Sequence, residues 1–323
     1  MEDTHISEIV RRLRDSRSVL FVTGAGISAD SGLPTYRGIG GLYEQEETDD
    51  GIPIEAALSG AMFERDPALT WKYIHQIESS CRSAGPNRAH EVIAELERRF
   101  ERVWTLTQNV DGLHHAAGSE QVIDIHGDVH RLVCTRCDHR WRVASYAGLD
   151  IPPSCPECAS LVRPEVVLFG EMLPLDRTRL LQEQLARGFD AVFTIGTTSV
   201  FPYIAEPIID ARRRGALTVE VNPGTSQVSH IVDYRLRMGA AAAMAEGACR
   251  VLGADCSVAV TGVAGPEPVE GEEPGTVFLA TSVDGEVLVD RVSYPLDRER
   301  TRQFTTISVL NQLRRRLVAR TQE

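Results

Sequence analysis

No stretch of this 323-residue chain is apolar for long enough to cross a bilayer, and its first residues, MEDTHISEIVRRL, lack the apolar core of a secretory signal. The cytosol is therefore the expected compartment. Basic residues are in deficit, with 34 Lys and Arg against 46 Asp and Glu and a net charge of −12. Such a chain has no electrostatic footprint for nucleic acid and is repelled by an anionic membrane surface, so neither is expected as a partner. It would attract a basic partner such as a lysine-rich peptide. Internal repeats are missing too, which excludes a solenoid. What remains is globular in composition, 42% hydrophobic and 25% charged. The length suits one large domain or two of ordinary size.

Strands and helices alternate in the pattern. Residues 6–14 have the spacing of a short amphipathic helix. Residues 18–22 form a continuous apolar run, as in a strand buried on both faces. Helical patterns follow at 52–81, with Pro53 and Pro67 marking starts, and at 90–99. Strands are expected at 103–107, 166–169, 191–195 and 218–221, with helices at 176–187 and 204–214. This order predicts an α/β fold with a doubly wound parallel sheet of Rossmann-like type. Between Cys134 and Cys158 the chain is short of aliphatic residues and rich in turns, so something other than an apolar core must hold it. Further on, 238–248 is a run of good helix formers. Apolar stretches at 257–260, 276–281 and 287–292 follow, the last two joined as a hairpin through Asp284-Gly285. A helix over 298–319 closes the chain.

The seven cysteines include two close pairs, Cys134/Cys137 and Cys155/Cys158, separated by seventeen residues. In a chain without a secretion signal, two such knuckles indicate a structural zinc site. Four thiolates leave no coordination position open, so this metal would hold the module together and do no chemistry. His139, nearby, is not needed as a ligand. The scattered Cys81, Cys249 and Cys256 read as buried thiols.

Strand 18–22 runs directly into Gly24-Ala25-Gly26, a turn that lets backbone approach a pyrophosphate, with the following helix offering its N–H groups. Arg37 would supply a cation. Gln108, Asn109 and Asp111 sit at the carboxyl end of a strand, where doubly wound sheets place ligand-binding residues. His126 is a second strand-end candidate.

Together, GAGISADSGLPTYRG at 24–38, TQNVDGLH at 107–114, HG at 126–127, the two CxxC pairs, VVLFGE at 166–171, GTTS at 196–199 and VNPG at 221–224 resemble the sirtuin family of NAD-dependent protein deacylases. The resemblance covers about residues 5–240. It implies that Ala25, Gly26, Arg37, Gln108, Gly196, Thr197, Ser199 and Asn222 line an NAD site, and that Asn109 and Asp111 border the nicotinamide pocket. His126 would be the catalytic base. In the family reaction the acyl-lysine carbonyl oxygen attacks C1′ of the NAD ribose and expels nicotinamide. The base then takes a proton from a ribose hydroxyl, which attacks the resulting imidate. An imidazole suits that step, its ordinary pKa lying near cellular pH. The products would be deacylated lysine, nicotinamide and O-acyl-ADP-ribose. Val166, Val167, Leu168 and Phe169 would offer a strand edge to an acyl-lysine peptide, with loose selectivity for flanking residues.

Several positions depart from the family pattern. Thr35-Tyr36 replaces Asp-Phe, and GTTSVFP is more compact than the usual loop. The Tyr-x-x-Arg pair of relatives that prefer acidic acyl groups aligns with Ile74 and Ile77, or with Tyr73 and Gln76 one residue earlier. Neither register has the arginine. Two other readings share these motifs: a protein mono-ADP-ribosyltransferase and a non-catalytic NAD or ADP-ribose binding module. The intact His126 and Asn109 argue against the second.

MAEGA at 244–248, GAD at 253–255, TGVAGP at 261–266, GTV at 275–277 and DRER at 297–300 resemble the second half of a CinA C-terminal domain. That family is associated with amide hydrolysis of nicotinamide mononucleotide. The half that carries its nucleophilic serine and lysine has no counterpart, so this segment is expected to be a fused remnant. The expected division is a catalytic domain over 1–245, with a small module from about 41–82 and a zinc insert at about 131–165, then a small α/β appendage over 246–323.

Overall fold

A computed structural model describes residues 2–33, 48–82, 84–237, 239, 256–262, 276–283, 286–294 and 298–320. Arg37, the helix expected at 238–248 and the Asp284-Gly285 turn lie outside these residues.

Helix α1 (Glu2–Arg14) leads into β1 (Ser18–Thr23) and a single turn, α2 (Gly26–Ala29). Next come α3 (Ile54–Ala57), α4 (Gly60–Arg65), α5 (Pro67–Cys81) and α6 (Arg88–Glu97). The one helical stretch expected over 52–81 is thus three helices, because Ser59 and Asp66 each cap a new start. Their side chains accept from the N–H groups of Met62 and Leu69, removing orphan donors of the first turn. Strand β2 (Arg102–Thr107), the turn α7 (Leu113–Ala116), β3 (Val122–Asp124), β4 (Gly127–Cys134), β5 (Arg140–Arg142) and β6 (Val162–Val166) follow. The chain continues through α8 (Leu175–Arg187), β7 (Ala191–Ile195), α9 (Pro202–Arg213), β8 (Leu217–Val221) and β9 (Tyr234–Leu236).

Six strands form one sheet in the order β3-β2-β1-β7-β8-β9, every described pairing parallel. This is the doubly wound sheet expected from the alternation of elements. Its central strand shows why β1 is apolar throughout. Val19 and Phe21 enter a core with Ile6, Ile9 and Ile93 from α1 and α6, while Leu20 and Val22 enter a second core with Leu181, Ile204 and Ile208 from α8 and α9. Both faces are dry, so alternate residues have no reason to be polar.

The zinc insert does have a core, contrary to expectation, but the core is shared. Strands β5-β4-β6 make a small antiparallel sheet, and its Leu132 and Val162, with Tyr146 from the loop after β5, pack with Ile54, Phe63, Trp71 and Ile74 from α3, α4 and α5. The Trp71 indole donates to the Val162 carbonyl at 2.9 Å. Segments 52–81 and 127–166, distant in sequence, supply one another's apolar surface.

The strand expected at 166–169 is also different. Strand β6 ends at Val166 and belongs to the small sheet, and the next three N–H groups are already paired. Val167 donates to the His126 carbonyl at 2.9 Å, Leu168 to the Glu171 carboxylate at 2.9 Å, and Phe169 to the Leu58 carbonyl at 2.9 Å.

Strands β10 (Cys256–Gly262), β11 (Thr276–Val283) and β12 (Glu286–Ser293) form an antiparallel meander beside α10 (Arg298–Arg320). Strand β11 pairs antiparallel with β12, Val283 opposite Glu286 and Thr276 opposite Ser293, as expected of a hairpin. Among the described residues the meander's core holds Val277, Leu279 and Val309, with Val258, Val292 and Tyr294 against them. No described helix is long and apolar enough to cross a membrane.

Candidate active site and zinc centre

Strand order reverses between β1 and β7, the place where open α/β sheets bind ligands at the carboxyl ends of their strands. The two loops leaving these strands touch. The Gly26 N–H donates to the Gly196 carbonyl at 2.9 Å. A Cβ on Gly26 would lie 2.6 Å from the Gly196 Cα, and one on Gly196 would lie 2.4 Å from the Gly26 carbonyl carbon. Gly196 also has φ of +58°. Only glycine at both positions permits this contact. The helix after the turn is a single turn, α2, so the contact between the two loops rests on backbone and glycine.

Around this contact the expected NAD residues are tied together. The Gln108 side chain donates to Thr197 Oγ1 at 2.7 Å, and Asn222 Nδ2 donates to the Thr197 carbonyl at 3.0 Å. The Ser199 N–H donates to Thr197 Oγ1 at 3.1 Å. Ser199 is buried with φ of +54°, and its hydroxyl lies 3.5 Å from that of Thr194. The ends of β2, β7 and β8 are thereby locked into one rim.

Asn109 and Asp111 meet on a residue that the sequence reading left unassigned, Ser28. Asn109 Nδ2 donates to Ser28 Oγ at 3.1 Å and to the Gly24 carbonyl at 3.1 Å, while Ser28 Oγ donates to Asp111 Oδ2 at 2.7 Å. Burial pushes the Asp111 carboxyl above the usual carboxylate range, against hydrogen bonds from Leu113 and Ser28 that lower it. Ser28 falls within the GAGIS motif, but nothing in that motif indicates its partners.

His126 stands where the chain crosses from the large sheet to the small one. Gly127 turns this corner with φ of +95°, and a Cβ there would lie 1.9 Å from the Glu165 carbonyl oxygen. His126 Nδ1 is 3.0 Å from the Gln108 carbonyl and Nε2 is 2.7 Å from the Tyr203 hydroxyl. A carbonyl only accepts, so Nδ1 carries the proton and Nε2 presents its lone pair. Burial lowers the imidazole pKa below its ordinary value, and the Gln108 carbonyl works against that shift. A neutral imidazole whose Nε2 carries the lone pair is the form a general base needs. Tyr203 carried no signal in the sequence.

The four cysteines converge. All four Sγ atoms lie within 4.8 Å of one another, with Cys134–Cys158 at 3.5 Å, Cys137–Cys155 at 3.6 Å and Cys137–Cys158 at 3.5 Å. A zinc tetrahedron with bonds of about 2.3 Å has edges of about 3.8 Å, so the cluster fits the ion closely. The N–H groups of Arg136 and Cys137 point at Cys134 Sγ. Tyr73 and Ile74, considered above for acyl selectivity, are buried in the small module's core.

The model of the Sir2 family matches residues 24–202, and that of the CinA C-terminal domain matches residues 237–317. A protein of Pseudomonas aeruginosa named NAD-dependent protein deacylase 2 is 48% identical over 244 residues, covering 72% of this chain and 93% of its own. The structure of a Sir2 homologue with NAD superposes with a TM-score of 0.69 at 36% identity, covering 77% of this chain and 94% of that one. A Sir2 structure holding a deacetylated p53 peptide and 3'-O-acetyl ADP ribose has a TM-score of 0.67 at 29% identity, covering 76% and 97%. The chain belongs to the Sir2 family.

Proposed function

We propose that this chain is an NAD-dependent protein lysine deacylase that releases nicotinamide and O-acyl-ADP-ribose. The observation that carries this reading is His126, held by the Gln108 carbonyl with its Nε2 lone pair directed away from that anchor, beside the Gly26–Gly196 contact at the sheet's switch point. Bound NAD supplies an electrophilic ribose C1′ with nicotinamide as its leaving group. The backbone at Ala25, Gly26 and Gly196 admits the pyrophosphate, and Gln108, Thr197, Ser199 and Asn222 shape the rim, with Arg37 as the expected cation. Asn109 and Asp111, fixed through Ser28, border the nicotinamide end. His126 Nε2 accepts the ribose hydroxyl proton.

Segment 166–169 lines the acyl-lysine path. With the N–H groups of Val167, Leu168 and Phe169 already donated, main-chain pairing to a peptide there would fall on carbonyls. One zinc per chain, on Cys134, Cys137, Cys155 and Cys158, would hold the small module. The catalytic domain is taken as residues 1–245 and the appendage as residues 246–323.

Mass spectrometry of an acyl-lysine peptide panel, with and without NAD, tests the function. Expected is loss of the acyl group only with NAD, with O-acyl-ADP-ribose in equal amount. ADP-ribose attached to the peptide, or no turnover, would overturn it. His126→Ala should lower kcat/KM about 100- to 10,000-fold while NAD still binds.

A further inference from the structure

Tyr203 lies in the first turn of α9, and its hydroxyl is 2.7 Å from His126 Nε2. Because Nδ1 must donate to the Gln108 carbonyl, Nε2 can only accept, and the tyrosine is the donor. A neutral imidazole has one in-plane lone pair. Tyr203 and a substrate hydroxyl cannot both use it.

We infer that Tyr203 is a positioning residue for His126: its hydroxyl holds the Nε2 lone pair and aims the ring until a substrate hydroxyl displaces it. The inference rests on His126 being the base.

The surroundings support such an exchange. Phe201 stacks on Tyr203 with centroids 5.5 Å apart and planes at 14°, and it meets His126 edge-on at 6.1 Å. Phe201 is itself 41% exposed, and Tyr203 is partly buried against the core that holds Leu20, Val22 and Ile204, so its ring is not sealed in. Further along α9, Pro207 lies inside the helix. It has no N–H for the carbonyl of Tyr203 four residues earlier, and the turn bearing the tyrosine lacks that helical bond. Burial keeps the phenol protonated, pushing its pKa up to about 12, so it leaves as a neutral hydroxyl with its own proton. The groups described facing the imidazole are the Gln108 carbonyl after β2 and, from the α9 side, the Tyr203 hydroxyl and the Phe201 ring. None is charged.

Two consequences distinguish this role from plain packing. A donor on Nε2 favours the neutral imidazole, so removing it raises the base's pKa before substrate binds. Once the substrate hydroxyl has taken the lone pair, that contribution is gone. The effect belongs in kcat/KM, which reports the enzyme before binding, and not in the pKa seen in kcat.

The test is Tyr203→Phe, which keeps the ring stacked on Phe201, with pH profiles of both parameters for NAD and an acetyl-lysine peptide. Expected is a fall in KM and a rise in kcat/KM of about two- to tenfold, the range of one hydrogen bond. The acid limb of kcat/KM should move up by roughly half to one pH unit, with that of kcat in place. A fall in kcat/KM, or an unmoved acid limb, would overturn the inference, provided His126→Ala is inactive. If His126→Ala turns over normally, the assignment of the base fails instead.

Discussion

The parallel sheet between residues 18 and 236 and the meander between 256 and 293 are both made of Val-, Leu- and Thr-rich strands, yet they stand on different footings. Strand β1 is buried along its whole length between two cores. The described core of the meander holds Val277, Leu279 and Val309. Large apolar side chains also lie open on it: Leu288, Val289, Phe304, Ile307 and Leu310 are each more than 40% exposed. In the body, the exposed ones are Phe169, Met172, Leu175, Val200 and Phe201, and Phe169 and Phe201 belong to segments that contact His126. Among the described residues, part of the body's apolar exposure thus lies beside His126. In the described part of the tail those side chains lie on β12 and α10.

The sharpest way to probe this contrast is the thiol cluster, in a module whose core is shared with residues 52–81. Stripping the metal, or Cys134→Ser, should unfold the small module and abolish deacylation. Structural zinc contributes on the order of 10 kcal/mol in small metal-bound modules. Tryptophan fluorescence would follow it, since Trp71, Trp141 and Trp104 all lie in the body. Full turnover without metal would show that the core around Trp71 suffices alone.

A smaller effect concerns protons. His90 is fully buried beside His114, ring centroids 4.8 Å apart. Burial pushes the His90 pKa down to about 4 and holds His114 well below its ordinary value. The folded body therefore binds fewer protons than the unfolded chain below about pH 6.5. Stability from His90 is fully present above that pH and is lost as pH falls toward 4, by about 3 kcal/mol. Denaturant midpoints measured from pH 7 to 4 would check this, and His90→Gln should flatten the slope. The tail has no histidine and should show no such dependence, so a truncated chain ending at 245 should keep the slope.

The smallest effect should come from that truncation itself. Every residue assigned to the site precedes 245. Removing 246–323 should leave kcat/KM within about twofold, as for changes that share no partners with the site. A large loss on truncation would show the appendage to be part of the catalytic unit, and deamidation of nicotinamide mononucleotide by the full chain would show it to be more than a remnant.

How much of this was legible in advance follows the range of each signal. The run at 18–22 and the Cys134-x-x-Cys137 knuckle are written in adjacent residues, and strand β1 and the cluster of thiols are there; β11 and β12 pair as the hairpin expected across 284–285. The boundaries went astray where a single capping side chain decided them, as at Ser59 and Asp66 within 52–81. The strand expected at 166–169 ended early because Val167, Leu168 and Phe169 found partners in loops and side chains, which periodicity does not encode.

By itself the sequence determined the parallel α/β sheet, the four thiols and the glycines at 24, 26 and 196, because strand period, metal knuckles and close backbone approach each demand particular residue types at particular spacings. Tertiary structure alone decided that residues 52–81 lend the zinc insert its core, that Ser28 joins Asn109 to Asp111, and that Tyr203 reaches His126 from 77 residues away. Those contacts depend on how finished helices pack against a finished sheet, and no local pattern records where a side chain will arrive.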